Sequence, residues 1–234
     1  MKQYRSEWKY RVSDAELQQV RERVSAVMDI DSHAGDSGKY IIHSLYFDDL
    51  RNSCAYENTA GVSKRFKYRL RYYGSDPGTL HLERKEKENT YCHKLSCSIS
   101  FDEYEKLAAG NAGEFIWDED RPLLRTFARD IITRGFEPKV IVNYEREAFV
   151  EPVSNVRITC DRSICASDET GAFLSGDYLR VPVLPGGQHI LEVKFDDVLP
   201  SYIKNAIQAN PLTQQAFSKY YMSRLAIDEM FRFG

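Results

Sequence analysis

Between Lys64 and Tyr73 the chain reads KRFKYRLRYY, and one backbone geometry sorts this run completely. In an extended strand alternate side chains point to opposite faces, so Arg65, Lys67, Arg69 and Arg71 share one side while Phe66, Tyr68, Leu70 and Tyr72 share the other. The pattern recurs. His81, Glu83, Lys85 and Lys87 stand opposite Leu80 and Leu82, and Arg5, Glu7, Lys9 and Arg11 stand opposite Tyr4, Trp8 and Tyr10. Such strands bury the aromatic side and must find a partner for the cationic one. Two like charges about 4 Å apart on neighbouring strands repel by about 4 kcal/mol at an effective dielectric near 20. A solvated face avoids that by mixing signs, so gathered cations point to a bound polyanion.

The charge balance makes this gathering local. Lys+Arg 32 against Asp+Glu 35 leaves a net charge of −3, which argues against a general nucleic-acid or anionic-membrane surface. Hydrophobic residues at 42% with 15 Tyr and 12 Phe are enough for a packed core. No apolar run approaches the roughly 18 residues that cross a bilayer, and the first residues are too polar for a signal peptide, so the expectation is a cytoplasmic chain with no membrane span. Five cysteines, odd in number and without a C-x-x-C pair, favour reduced structural thiols. The five histidines show no metal-ligand spacing. Gly186-Gly187 reads as a turn, because no helix with a Lys-Ser/Thr start follows.

Strands are expected at 4–12, 40–47, 65–73, 79–87, 91–99, 139–149, 156–164 and 189–195, with a turn at 74–78. Helices are expected after the Ser100 cap with its Glu103 capping box, from Pro122 to Gly135, from Pro200, and over 217–231. No repeat or linker divides the chain, so residues 1–234 are expected to form one α+β domain. The eight strands would close into an antiparallel β-barrel, cationic face inward, with flanking helices over its apolar outer face. A basic tunnel with a few glutamates for a divalent metal suits phosphoryl transfer, which needs positioning and charge neutralisation more than covalent catalysis. Arg69 and Arg71 offer two guanidiniums for bidentate phosphate recognition. Glu192, between Leu191 and Val193, is a buried carboxylate that needs a metal or a cation, and Lys194 shares its face.

Eight stretches in order resemble the vacuolar transporter chaperone (VTC) domain, the polyphosphate polymerase branch of the triphosphate tunnel metalloenzymes (CYTH-like). They are Glu7-Trp8-Lys9-Tyr10, Ser44-Leu45-Tyr46-Phe47-Asp48, Lys67-Tyr68-Arg69-Leu70-Arg71-Tyr72-Tyr73-Gly74, Leu82-Glu83-Arg84-Lys85, Tyr144-Glu145-Arg146, Asp161-Arg162, Leu191-Glu192-Val193-Lys194-Phe195 and Phe217-Ser218-Lys219-Tyr220. The resemblance implies an eight-stranded tunnel that moves the γ-phosphate of ATP onto a growing polyphosphate chain with Mn²⁺ or Mg²⁺. It implies Lys9, Arg69, Arg71, Lys85 and Lys219 as the catalytic set. Lys94, Arg146, Arg162 and Ser218 would join them in binding the phosphates, with Glu192 and Glu7 as metal ligands. Ala216 stands where family members often carry a basic residue. The same tunnel would also serve a tripolyphosphatase or nucleoside triphosphatase, or a non-catalytic polyphosphate-binding module.

Overall fold

The computed structural model describes residues 5–35, 37–75, 77–89, 91–208 and 212–233. Tyr4 and Asp76, expected in the first strand and in the turn, lie outside them. Ten strands form one antiparallel sheet: β1 Ser6–Ser13, β2 Asp29–Ile30, β3 Lys39–Asp48, β4 Lys64–Tyr73, β5 Leu80–Glu88, β6 Tyr91–Ile99, β7 Glu137–Glu151, β8 Val156–Ser167, β9 Val181–Pro182 and β10 Gln188–Phe195. Eight run in the order β1-β10-β8-β7-β3-β4-β5-β6, while β2 pairs with β7 and β9 with β8.

The expected eight-stranded closed barrel needs correcting. The count rises to ten because two-residue strands add themselves beside β7 and β8. The ends of the path, β1 and β6, meet at one isolated bridge between Arg5 and Cys92, with backbone hydrogen bonds of 3.4 Å. Among the described residues no continuous ladder closes the sheet. Beyond that bridge the seam is joined by side chains, with Lys85 of β5 reaching Glu7 of β1 at 2.9 Å.

Six helices accompany the sheet: α1 Asp14–Val24, α2 Ser53–Thr59, α3 Phe101–Ala108, α4 Pro122–Arg134, α5 Ser201–Ile207 and α6 Lys219–Phe233. The sequence reading omitted α1 and α2. Yet α1 carries a complete capping box, with Ser13 accepting from the Glu16 amide and Glu16 from that of Ser13. Its Leu17, Val20 and Val24 pack with Tyr10, Val12, Ile158, Val193 and Ile203 over one stretch of the sheet. Over the other, Leu107, Leu124, Phe127 and Ile131 from α3 and α4 cover Tyr68, Leu70 and Leu82. The helices therefore lie on the apolar face, as the alternation requires, and the charged face is left to the interior. No helix among the described residues is long and apolar enough to cross a membrane.

One buried carboxylate ties α6 to the sheet. Asp48, at the end of β3, accepts hydrogen bonds from the backbone amides of Asp49, Cys54 and Ala55 and from the Tyr220 hydroxyl at 2.6 Å. Tyr220 also stacks on Tyr46 at 5.3 Å. The start of α6, with Ser218 just before it and Lys219 in its first turn, is thereby held against the sheet's inner face. Asp48→Ala strands these donors in a site with no exposed surface, and leaving one such group unsatisfied costs about 1–3 kcal/mol. Urea denaturation should show a loss of about 3 kcal/mol for Asp48→Ala and about 1 kcal/mol for Tyr220→Phe, whose lost hydroxyl removes one contact. Equal losses would mean that the loop amides contribute nothing.

Candidate functional site

The inner face encloses a cavity of about 1070 Å³. Strand alternation brings the cations to it: Lys67, Arg69 and Arg71 from β4, Lys85 from β5, Lys94 from β6, Arg146 from β7, Lys194 from β10 and Lys9 from β1, with Lys219 of α6 entering from the end. Arg5, Arg157, Glu7, Asp31, Glu192 and Ser218 line it too. Ten of the residues singled out in the sequence thus converge: Glu7, Lys9, Arg69, Arg71, Lys85, Lys94, Arg146, Glu192, Ser218 and Lys219.

Arg162 does not. Its strand puts Ile158 and Cys160 into the outer core, and Arg162 shares their parity. The inward residue is its neighbour Asp161, fully buried, which receives both Arg146 Nε at 2.6 Å and Nη2 at 2.7 Å. The apolar Ile158 and Cys160 carried this signal in the sequence. Arg65 and Arg11 likewise leave the cavity wall; Arg65 donates to the Val62 carbonyl and Arg11 to Gln188.

Four carboxylates hold the cations apart. Glu83, 2% exposed, receives Arg69 Nε at 2.6 Å and Lys94 Nζ at 3.0 Å, and stands 3.7 Å from Arg71. Glu7 takes Lys85 at 2.9 Å, Lys194 at 3.5 Å and Lys9 at 3.7 Å. Glu192 meets Lys219 at 2.7 Å, with Lys9 and Lys194 each at 3.4 Å. Asp161 pairs with Lys219 at 2.6 Å as well as with Arg146. Burial alone would raise all four, but the facing cations hold each of them below the usual carboxylate range. The hydroxyls are engaged as well: Tyr46 accepts from Arg69 at 3.0 Å, Ser44 and Tyr144 accept from Arg71 at 3.1 and 3.2 Å, and Ser218 accepts from Lys67 at 2.9 Å. Asp161, Glu83, Lys67 and Lys194 are charged members that the sequence reading left out of the site; for Lys67, Glu83 and Lys194 the alternation already placed them on the right face.

A metal would find Glu7 and Glu192 close enough that each carboxylate feels the other's charge. Among the described residues, no three His, Cys, Asp or Glu side chains gather into a group that could hold a metal ion. The pair is not an all-protein cage; a hard cation of the Mg²⁺ type is commonly bound through one or two carboxylates together with substrate phosphates and water.

Residues 4–227 match the profile of the VTC domain. The chain belongs to the VTC domain family. No curated protein matches it. Among solved structures it is similar to a putative adenylate cyclase from Bacillus halodurans, at 10% identity and a TM-score of 0.45 over 99% of this chain and 90% of that one. A Pyrococcus horikoshii protein follows, at 12% identity and 0.43 over 88% and 86%. A conserved hypothetical protein from Pyrococcus furiosus gives 11% and 0.44, again over 88% and 86%. The assignment to the VTC domain rests on the profile match and not on these distant likenesses.

The VTC-domain cavity also carries a pH signature. Burial pulls Lys67 and Lys194 down from 10.5 to about 8, the first despite a facing Tyr46 and the second despite Glu192 and Glu7. Burial would raise the Tyr46 phenol, but Arg69, Lys67 and Arg71 bring it down to about 7. Each of these groups releases its proton in the folded chain before it does so in the unfolded one. Between pH 7 and 9 they accordingly stabilise the empty fold as pH rises, while stripping positive charge from the cavity. Calorimetric titration with long-chain polyphosphate, whose internal phosphates stay ionised, should show affinity falling across this window at fixed ionic strength, with no matching drop in apo Tm. A flat affinity would mean that these groups do not change charge there.

Proposed function

We propose that this protein is a polyphosphate polymerase that binds ATP in the cavity and transfers its γ-phosphate to a growing polyphosphate chain. The observation that carries the reading is the wall of cations: eleven described lysines and arginines line the cavity, Arg5 and Arg157 with the nine named above, set against Glu7, Asp31 and Glu192 in its lining and Glu83 and Asp161 beside it. Phosphoryl transfer asks for aligned phosphates and neutralised charge, and this wall supplies both. Family membership supports the substrate class.

In this reading Arg69 and Arg71 grip phosphate oxygens through their guanidinium forks, which Tyr46, Ser44 and Tyr144 hold in orientation. Lys9, Lys85 and Arg146 extend the grip along the chain, with Lys94 near the rim. Lys219 and Ser218 close the end, and Lys219 faces the charge that develops on the transferred group. Glu192 and Glu7 would hold Mn²⁺ or Mg²⁺, and such an ion would supply positive charge to offset that of the phosphates. The same carboxylates keep the lysine side chains in place between turnovers. A barrel closed around the substrate would complete the tunnel at the β1–β6 seam, where Arg5 and Cys92 already meet.

Incubation with ATP and Mn²⁺ or Mg²⁺, followed by separation of the products, tests the proposal. Polymer with ADP is the expected outcome; free phosphate with ADP would make the protein a triphosphatase, and no turnover with retained polyphosphate binding would make it a binding module. Arg69→Ala and Arg71→Ala should each weaken triphosphate binding by about 1.5–3 kcal/mol, the range for hydrogen bonds to charged groups. Unchanged affinity in both variants would remove β4 from the site. Glu192→Gln should lower the rate far more than ATP affinity, with partial recovery at high Mn²⁺; superimposable rate curves against metal concentration would leave Glu192 a structural partner of Lys219.

A further inference from the structure

One end of the cavity differs in chemistry from the rest. There rings join the cations: Tyr40 of β3, Tyr73 of β4 and His81 of β5 all line the cavity, with Arg157 and Arg71 beside them. Their centroids form a chain, with Tyr40 5.9 Å from Tyr73 and Tyr73 6.1 Å from His81, both edge-on. Tyr73 follows Arg71 on the same strand face, and the Arg71 guanidinium lies 5.9 Å from the Tyr73 ring centroid. The cluster is at an opening, since Tyr73 is 42% exposed whereas Arg71 is 5% exposed.

The other rings near the cavity are committed elsewhere. Tyr46 is stacked on Tyr220, and the Tyr144 ring lies under Arg146 and Lys219 at 5.2 and 4.9 Å. Tyr73 leaves open surface beside the phosphate wall. Its neighbour Tyr40 is fixed in place, because its hydroxyl accepts from Arg157 at 3.0 Å and Arg157 is in turn paired with the buried Asp31. A rigid aromatic surface abutting a row of arginines fits a ligand that is flat at one end and polyanionic at the other.

We propose that Tyr73, flanked by Tyr40 and His81, is the seat of the nucleobase, so that a nucleoside triphosphate enters with its base stacked at this mouth and its phosphates running inward past Arg71 and Arg69. This rests on the reading of the cavity as a triphosphate site. Successive inward residues on a strand face lie about 7 Å apart, and the ribose spans the step from Tyr73 to Arg71. Stacking is tolerant of base identity because every base has a π-face, so the seat accepts purine and pyrimidine nucleotides alike and separates nucleotides from bare polyphosphate.

Isothermal titration of ATP and of tripolyphosphate against the intact protein, Tyr73→Ala and Tyr73→Phe tests it. Tyr73→Ala should weaken ATP about tenfold, in the range of a lost base–aromatic stack, and leave tripolyphosphate affinity unchanged; Tyr73→Phe, which keeps the ring, should restore ATP binding. Parallel losses for both ligands in Tyr73→Ala would overturn the seat and make Tyr73 a support for Arg71. No change for either would overturn it as well. Failure of the underlying cavity reading looks different: the unmodified protein would then bind neither ATP nor tripolyphosphate.

Discussion

Everything else in this structure depends on keeping eleven lysines and arginines around one enclosed space without letting them drive the strands apart. Glu83, Glu7, Glu192 and Asp161 do this by standing between them, each within 4 Å of at least two basic side chains. The arrangement still leaves cations in excess. Lys67 and Lys194 register that excess, since burial and neighbouring positive charge hold their ammonium groups near pH 8. An anion with several negative charges would relieve the same repulsion and return the protons.

This constraint explains the architecture. A face that must hold charged side chains inside a protein needs its opposite face to be wholly apolar, because the sheet can then be anchored only from outside. Hence two separate hydrophobic clusters, one under α1 and α5 and one under α3 and α4, clasp the sheet from different sides. The exception is α6, which turns its first residues inward. That inversion requires the fixed point provided by Asp48 and Tyr220, since Lys219 must reach both Glu192 and Asp161.

The legible part of the sequence was the part written in period two. β4 and β5 and their inward residues followed directly, because a charged-apolar alternation admits one parity; Lys94 of β6 came only through the family resemblance. Position 162 shows where this reading stopped short. A conspicuous Arg drew the assignment, although the apolar Ile158 and Cys160 on its own strand place Asp161 inward. The missed α1 is a different failure: its Ser13 and Glu16 capping box follows β1 without a turn, so the strand pattern masked the helix start. Closure of the sheet was not legible at all, because it depends on how two edge strands approach across the seam, and no local pattern in β1 or β6 encodes that distance.

Engaging most of the cations in advance has a consequence for binding. An incoming phosphate does not meet bare charges but must exchange with a carboxylate or share its partner, so each new contact is offset by one loosened. The gain comes from the surplus cations and from geometry. Glu83 accepts from Arg69 through Nε and Nη2, and the Nη1 of that guanidinium is spent on the Tyr46 hydroxyl. Arg71 is held by two hydroxyls and only loosely by Glu83. The Arg71 guanidinium is thus oriented by hydroxyls more than it is neutralised by a carboxylate, whereas Glu83 and Asp161 occupy the forks of Arg69 and Arg146. An incoming anion therefore meets least competition at Arg71, and at Arg69 and Arg146 it has to share the fork or displace a buried carboxylate that would then lose its own partner.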